Sequence, residues 1–426
     1  MTATPSAPVE RHEAGGGDPA GEAVSPDGVP RVVPDGVPHG VPHIVPHGVP
    51  RRVSTLELFF DLVFVFTITQ LTVLLADDLS FAQAGRVLLI FSVLYWMYGA
   101  YAYLTNQVPP ETLARRVVLV AGMFGFLTCA LAVPKVFTSD GVAFGLAFVL
   151  VTAVHSTLYA LVHGKYVLAF AIPNLVAAGC VTAAGAVDGV PSDLLWLAAV
   201  LLQQLAPIVS SRITGEYADG RAAVTEHVGE LDPAHFVERH GLLLIIAFGE
   251  SIVAIGHGAE ESHLDWTLAA GIALALALAA TLWWSYFDAD ESAAEHALGA
   301  ATGIKRFRLG MLAYYYSFIP MLLGIAFLSA GLKKAIGHLA HELPAAPAVA
   351  LAGGVAVFLV GDLCFRWSLG IAPMRYRAVG ILAVLATVPL ARAASAAQLL
   401  GLTVVMVLML VAEGRGRRRD APPAPA

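Results

Sequence analysis

Glu57-Leu58-Phe59-Phe60-Asp61-Leu62-Val63-Phe64-Val65-Phe66-Thr67 decides how this chain is read: two carboxylates four residues apart head a stretch that is otherwise apolar as far as Ala76. A spacing of four puts Glu57 and Asp61 on one face of a helix. An acid at the centre of a bilayer costs about 2.5–3.5 kcal/mol, and less near the interface, so acids in such a segment face a protein interior or a water-filled cavity. The stretch predicts a membrane-spanning helix with its acidic face turned inward.

The remainder of the chain has the same character. Of 426 residues, 57% are hydrophobic and 13% are charged, and the mean hydropathy is +0.72, whereas soluble domains carry about 25% charged residues. An all-α polytopic membrane protein is expected, with the lipid bilayer as its surroundings and nothing in favour of nucleic acid. From residue 56 onward, apolar stretches long enough to cross a hydrocarbon core some 30 Å thick recur at 56–76, 86–105, 115–133, 141–162, 166–187, 193–211, 237–258, 266–287, 308–331, 347–368, 376–393 and 396–412, about twelve transmembrane helices in all. With spans so placed, eighteen Lys and Arg residues fall on the side of the amino-terminal tail and five on the other. By the positive-inside rule both termini are cytoplasmic.

Residues 1–53 form a separate Gly/Pro/His-rich tail with a four-residue cadence, as in His39-Gly-Val-Pro42 and His43-Ile-Val-Pro46. Proline at every fourth position forbids a continuous helix, so an extended, disordered segment is expected. His39, His43 and His47 lack the acids or cysteines that would make them a defined metal site. Cys129, Cys180 and Cys364 each lie in an apolar run and read as small buried hydrophobes. The basic, Pro-rich residues 413–426 read as a second cytoplasmic tail.

Internal symmetry is suggested by the spacing of landmarks. Glu57 opens the first span and Glu238 the seventh, 181 residues apart; Trp96 and Trp284 close the second and eighth, 188 apart; Arg115 and Lys305 precede the third and ninth, 190 apart. Two six-helix halves, 54–212 and 237–412, joined by a cytoplasmic loop at 213–236, are expected. Because six is even, the halves form a parallel pseudo-repeat with any pathway at their interface.

Ser54-Thr55-Leu56-Glu57-Leu58-Phe59-Phe60-Asp61-Leu62-Val63-Phe64-Val65, taken with His235-Phe236-Val237-Glu238-Arg239-His240-Gly241-Leu242 and Ile245-Ile246-Ala247-Phe248-Gly249-Glu250-Ser251-Ile252-Val253-Ala254, resembles the bacterial low-temperature-requirement protein A (LtrA) family. The resemblance spans about 54–412 and leaves out the long tail. It implies a multipass protein of the bacterial inner membrane associated with growth in the cold, and brings no molecular activity or cofactor with it.

The residues themselves point to a pathway. Glu250 lies twelve positions past Glu238, about 18 Å along a helix, between the small residues Gly249 and Ser251. His257, seven further on, shares its face. The candidate pathway residues are Glu57, Asp61, Gln70, Glu238, His240, Glu250, Ser251 and His257, which would pass protons or hold a small solute or cation. The alternative for Glu250 is a protonated carboxyl giving one interhelical hydrogen bond. Asp362 and Arg366 read as an intrahelical pair, Asp288, Asp290, Glu291 and Glu295 as a solvated loop, and His155 as bonding a neighbour. A proton-coupled transporter or ion pathway is favoured over a lipid-modifying membrane enzyme or sensor, since no nucleophile–base pair, metal-binding motif or phosphate loop is visible.

Overall fold

Ser54 caps the first helix, α1 (Thr55–Asp77). Its hydroxyl accepts from the Glu57 amide while the Glu57 carboxylate takes the Ser54 amide, a reciprocal arrangement that satisfies two of the free donors at a helix start. Ser80 and Thr112 do the same duty for α2 (Phe81–Gln107) and α3 (Leu113–Ala132), and Asp232 and Asp265 for α7 (Pro233–Ala259) and α8 (Trp266–Phe287). The computed structural model describes residues 52–163, 167–213, 231–260 and 263–420. The tail with His39, His43 and His47, and most of the 213–236 loop, lie outside the described residues.

Between these helices come α4 (Gly141–His163), α5 (Val167–Ala184) and α6 (Val190–Ile213). After α8 follow the short α9 (Asp290–Ala300) and α10 (Gly303–Gly310), then α11 (Phe318–Ile336), α12 (Ala345–Leu369), α13 (Arg375–Leu385) and α14 (Ser395–Asp420). Among the described residues, nine stretches are long and apolar enough to cross a membrane: Thr55–Asp77, Phe81–Gln107, Leu113–Lys135, Gly141–Leu161, Pro233–Ala259, Trp266–Ala300, Gly303–Ile336, Ala345–Leu369 and Ser395–Arg418. The other three expected spans hold shorter apolar helical stretches among the described residues. Apolar Phe170–Ala184 and Val190–Leu205 occupy two of them. In the third, Pro389, which cannot donate to a preceding carbonyl, turns 376–393 into α13 followed by a 3₁₀ turn, Val388–Arg392.

A π turn, Met311–Tyr316, joins α10 to α11. Pro320 has no N–H for the Tyr316 carbonyl, and the turn before it opens: the Ser317 amide and hydroxyl both donate to the Leu312 carbonyl, five residues back, at 3.2 and 2.8 Å. The Tyr314 carbonyl is taken by the Tyr95 hydroxyl of α2 at 2.7 Å.

Packing order repeats along the chain. In the first half α1 packs on α2 and α3, α3 on α4, α4 on α5, α5 on α6, and α2 on α6; in the second α7 packs on α8 and α11, α11 on α12, α12 on α13, α13 on α14, and α8 on α14. Helix α1 also contacts α7 and α11. Helices α11 and α12 approach closely, a Cβ on Gly324 standing 2.5 Å from the Phe358 amide nitrogen and one on Gly354 2.4 Å from that of Leu328. Only glycine lets two helix backbones come so near. Outward faces carry exposed Leu, Val and Phe side chains, among them Phe59, Leu62, Phe124 and Val253, as a lipid-facing surface requires.

Candidate functional site

Helix α1 delivers Glu57 and Asp61 to one face, as their spacing predicts, and both are fully buried. What they meet comes from α7. Arg239 reaches across with Nε at 3.2 Å and Nη2 at 2.9 Å from Asp61 Oδ1, and with Nη1 at 3.5 Å from Glu57 Oε1. Nη1 also bonds the Thr105 hydroxyl of α2. Tyr98 donates to the same Asp61 oxygen at 2.9 Å, and the guanidinium lies 5.7 Å from the Phe60 ring centre. Asp61 Oδ1 thus accepts three bonds, while Oδ2 has no partner.

His235 completes the cluster, and its tautomer follows from its neighbours. The Asn106 amide is oriented by the Asp232 backbone, accepting from its N–H at 3.0 Å and donating to its carbonyl at 3.1 Å. Its nitrogen therefore donates to His235 Nδ1 at 3.0 Å. That leaves the ring proton on Nε2, directed at Glu57 at 3.3 Å. A neutral imidazole suffices. Two carboxylates against one guanidinium leave one negative charge, which the Ser54 amide and hydroxyl, at 3.0 and 2.7 Å from Glu57 Oε2, and the positive end of α1 help to disperse.

Glu250 is held differently. It is buried on α7, and its carboxyl meets the Thr69 hydroxyl of α1 at 2.6 Å; no Lys or Arg stands within ion-pair distance of it among the described residues. Thr69 is eight positions beyond Asp61, about 12 Å along α1, so Glu250 does not join the Arg239 cluster. Contacts between α1 and α7 run at sequence separations of 178 for Glu57–His235 and Asp61–Arg239, 181 for Thr69–Glu250, 182 for Glu57–Arg239 and 185 for Val53–Glu238. A nearly constant separation means two parallel helices in register.

The remaining expected residues scatter. Glu238 accepts the Val53 amide at 3.2 Å. Ser251 pairs with Ser329 of α11 at 3.2 Å. His240 donates to its own helix at the Phe236 carbonyl and packs against Phe236, Tyr314 and Phe318, a packing role. His257 is half-exposed beside Glu260, and Gln70 is half-buried on the flank of α1. An apolar cleft of about 50 Å³ lies behind Thr105 and Arg115 and is lined by no carboxylate. Among the described residues no group of three His, Cys, Asp or Glu is arranged to hold a metal ion.

A second charged cluster corrects the sequence reading. Asp290, expected in a solvated loop, is fully buried and takes a two-pronged bond from Arg366, at 2.6 and 2.9 Å. Arg366 lies 3.9 Å from Asp362, its expected partner, and 2.6 Å from Glu413. Arg377 approaches Glu413 at 3.1 Å and Asp362 at 3.3 Å, and donates to the Ser285 carbonyl at 2.8 Å. Arg417 closes the group on Glu413 and Asp290. Three acids and three arginines balance, tying α9, α12, α13 and α14 together. The hint in the sequence is Glu413 four residues before Arg417, a helical pair that repeats Asp362–Arg366.

Helices of this length and polarity pattern, with lipid-type outer faces and buried charges closed on one another, define an integral polytopic membrane protein. The sequence profile described as bacterial low temperature requirement A protein (LtrA) matches residues 52–412, and the chain belongs to that family. It is 27% identical over 327 residues to an uncharacterized protein of Rhizobium meliloti (strain 1021), covering 74% of this chain and 77% of that one. No solved structure matches.

Proposed function

We propose that this protein is a proton-coupled transporter of the bacterial inner membrane, built of two parallel six-helix halves with twelve crossings and both termini in the cytoplasm. Glu250 is its proton carrier. The observation that carries this reading is the bond between Glu250 and Thr69. A carboxylate opposed by a guanidinium, as at Asp61, is committed to its charge. One met by threonine hydroxyls, Thr69 with Thr72 beside it, and with His257 and Lys333 beyond ion-pair distance, keeps its hydrogen bond in either state, since threonine donates to the carboxylate and accepts from the acid. Proton gain and loss then proceed without leaving a buried group unpaired.

Further support comes from the packing. The in-register α1–α7 pair and the repeated order of neighbours fit two like halves, and the separation of 181 at Thr69–Glu250 is that between Glu57 and Glu238. Residues 375–392 count as a crossing because their start joins Arg377 to Ser285 while their end bonds the α11–α12 connection, Leu343 N–H to the Ala391 carbonyl.

Purified protein in proteoliposomes with an internal pH-sensitive dye tests the proposal. An imposed proton gradient is expected to drive alkali-cation or proton flux in the wild type and not in Glu250→Gln, which keeps size and hydrogen bonding but does not titrate. Glu250→Leu should lower stability by roughly 0.6–2 kcal/mol, the worth of such a bond in membranes. Undiminished flux in a normally folded Gln variant removes Glu250 as carrier. In cells, the same variant should fail to support cold growth if the role implied by the family name extends to this chain.

A further inference from the structure

Helix α12 ends beside an open groove. Ala345–Leu369 is long and apolar enough to cross a membrane, so its end lies at a membrane surface. The chain leaves it through Gly370, whose φ of 71° is the left-handed region that glycine favours. The Ile371 amide returns to the Arg366 carbonyl at 2.8 Å, and the buried Arg366 side chain donates to the Pro373 carbonyl at 3.2 Å. These bonds fix the turn into α13. Between the two helices opens a groove of about 390 Å³, within the roughly 300–1,000 Å³ of ligand sites. Leu363, Cys364 and Trp367 line it from α12, and Met374, Arg375 and Ala378 from the start of α13. Cys364, expected from the sequence to be buried, is exposed here.

Five of the six lining residues are apolar, and the sixth is a cation without an anion. The exposed Arg375 donates from Nη2 to the Tyr376 hydroxyl at 3.2 Å and lies 5.0 Å from that ring's centre. It forms no ion pair among the described residues, whereas Arg366, Arg377 and Arg417 near the same turn are each paired with a carboxylate. The Tyr376 hydroxyl packs on Gly416 of α14, and Arg415 next to that contact is also exposed.

We infer that the groove holds an anionic phospholipid, an acyl chain against Leu363, Trp367 and Ala378 and the phosphate on Arg375. The lining selects this class. A guanidinium matches two phosphate oxygens at once, and a zwitterionic headgroup would bring an ammonium that no carboxylate in the groove meets. A free phosphate would leave the apolar slot empty. Trp367, 68% exposed, is the residue type that sits at headgroup level, and basic pockets between membrane helices recognise lipid headgroups by the same charge pairing. The site is separate from Glu250 and holds whether or not Glu250 moves protons.

Quenching by brominated lipid tests it. The full-length protein is reconstituted in phosphatidylcholine with a rising fraction of phosphatidylglycerol brominated on its acyl chains, and in a second series with brominated phosphatidylcholine. The chain has six tryptophans, and subtracting the emission of Trp367→Phe isolates Trp367. Half-maximal quenching of Trp367 should need at least about fivefold less phosphatidylglycerol than phosphatidylcholine, a ratio of about 1 kcal/mol and the worth of one basic residue at an anionic membrane surface. Arg375→Gln should bring the two series together with an unchanged melting temperature, while Arg392→Gln, an exposed arginine outside the groove, should keep the wild-type ratio. Ala378→Phe fills the groove, leaves the charge in place, and should also abolish the preference. Coincident series in the wild type, or a preference that survives Arg375→Gln or Ala378→Phe, overturns the site. So does a Trp367 quenched by neither lipid, as a second copy of the chain seated in the groove would leave it.

Discussion

Arg239→Met separates the two carboxylates of α1 from their counter-ion, and the structure says what that costs. Asp61 Oδ1 loses two of its three bonds and keeps the Tyr98 hydroxyl; Glu57 keeps Ser54 and His235 but loses the guanidinium at 3.5 Å. Removing one partner of a buried ion pair costs about 3–5 kcal/mol, because the other is left charged and unsolvated. Against a total stability of roughly 5–15 kcal/mol, that is a large share. Asp61→Asn alone should cost less, since Arg239 retains Glu57 and Thr105. The double variant should lose less than the sum of the two, by at least about 2 kcal/mol, since no charge is then left at position 61 and Glu57 keeps Ser54 and His235. Equilibrium unfolding in mixed SDS micelles, read by tryptophan fluorescence, measures all three. A single Arg239→Met within about 1 kcal/mol of wild type, or strictly additive losses, would show that the cluster is solvated and the reasoning wrong.

Gly354→Ala should destabilise by about 1–3 kcal/mol, since its methyl group meets the Leu328 backbone at 2.4 Å and neither helix end can yield; the same unfolding assay decides, and Gly353→Ala, with no atom within 4 Å of the new Cβ, is the control. Reporter fusions within 214–230 and after residue 420 should both give cytoplasmic signals, and a periplasmic signal from either refutes the proposed twelve crossings. Arg366→Met should cost about 3–5 kcal/mol by the argument used for Arg239, since Asp290 loses its two-pronged bond and keeps only Arg417, and three buried acids then face two arginines; little change by SDS unfolding would mean that water reaches the cluster.

The local parts of this architecture were legible because their causes are local. The capping box at Ser54 and the shared face of Glu57 and Asp61 follow from spacings of three and four. Partner choice was not, since Arg239 comes from 178 residues away and its pairing with Asp61 depends on the register of two helices that no short window contains. Hydropathy misled at the charged ends. Asp288, Asp290, Glu291 and Glu295 look solvated together, yet only the chain's return through α12 and α14 supplies the arginines that bury Asp290. Glu413 and Arg417 lower the apolarity of their window, so the last helix looked finished at 412 although it runs to Asp420. Pro389 was visible, but a proline in a span predicts a kink or a break equally well, and the 3₁₀ turn needed Thr387 to take the Val384 carbonyl.

The π turn at Met311–Tyr316 has a consequence for chain length. Such a turn is an α-helical turn with one extra residue, the carbonyls it frees being taken by Ser317 and Tyr95. Removing one residue between 311 and 316 takes out that extra residue while the turns on either side keep their places. Elsewhere in the membrane helices a deletion rotates everything downstream by a hundred degrees and turns the buried face outward. A one-residue deletion in this short stretch is therefore expected to disturb the bundle less than one elsewhere in the membrane helices.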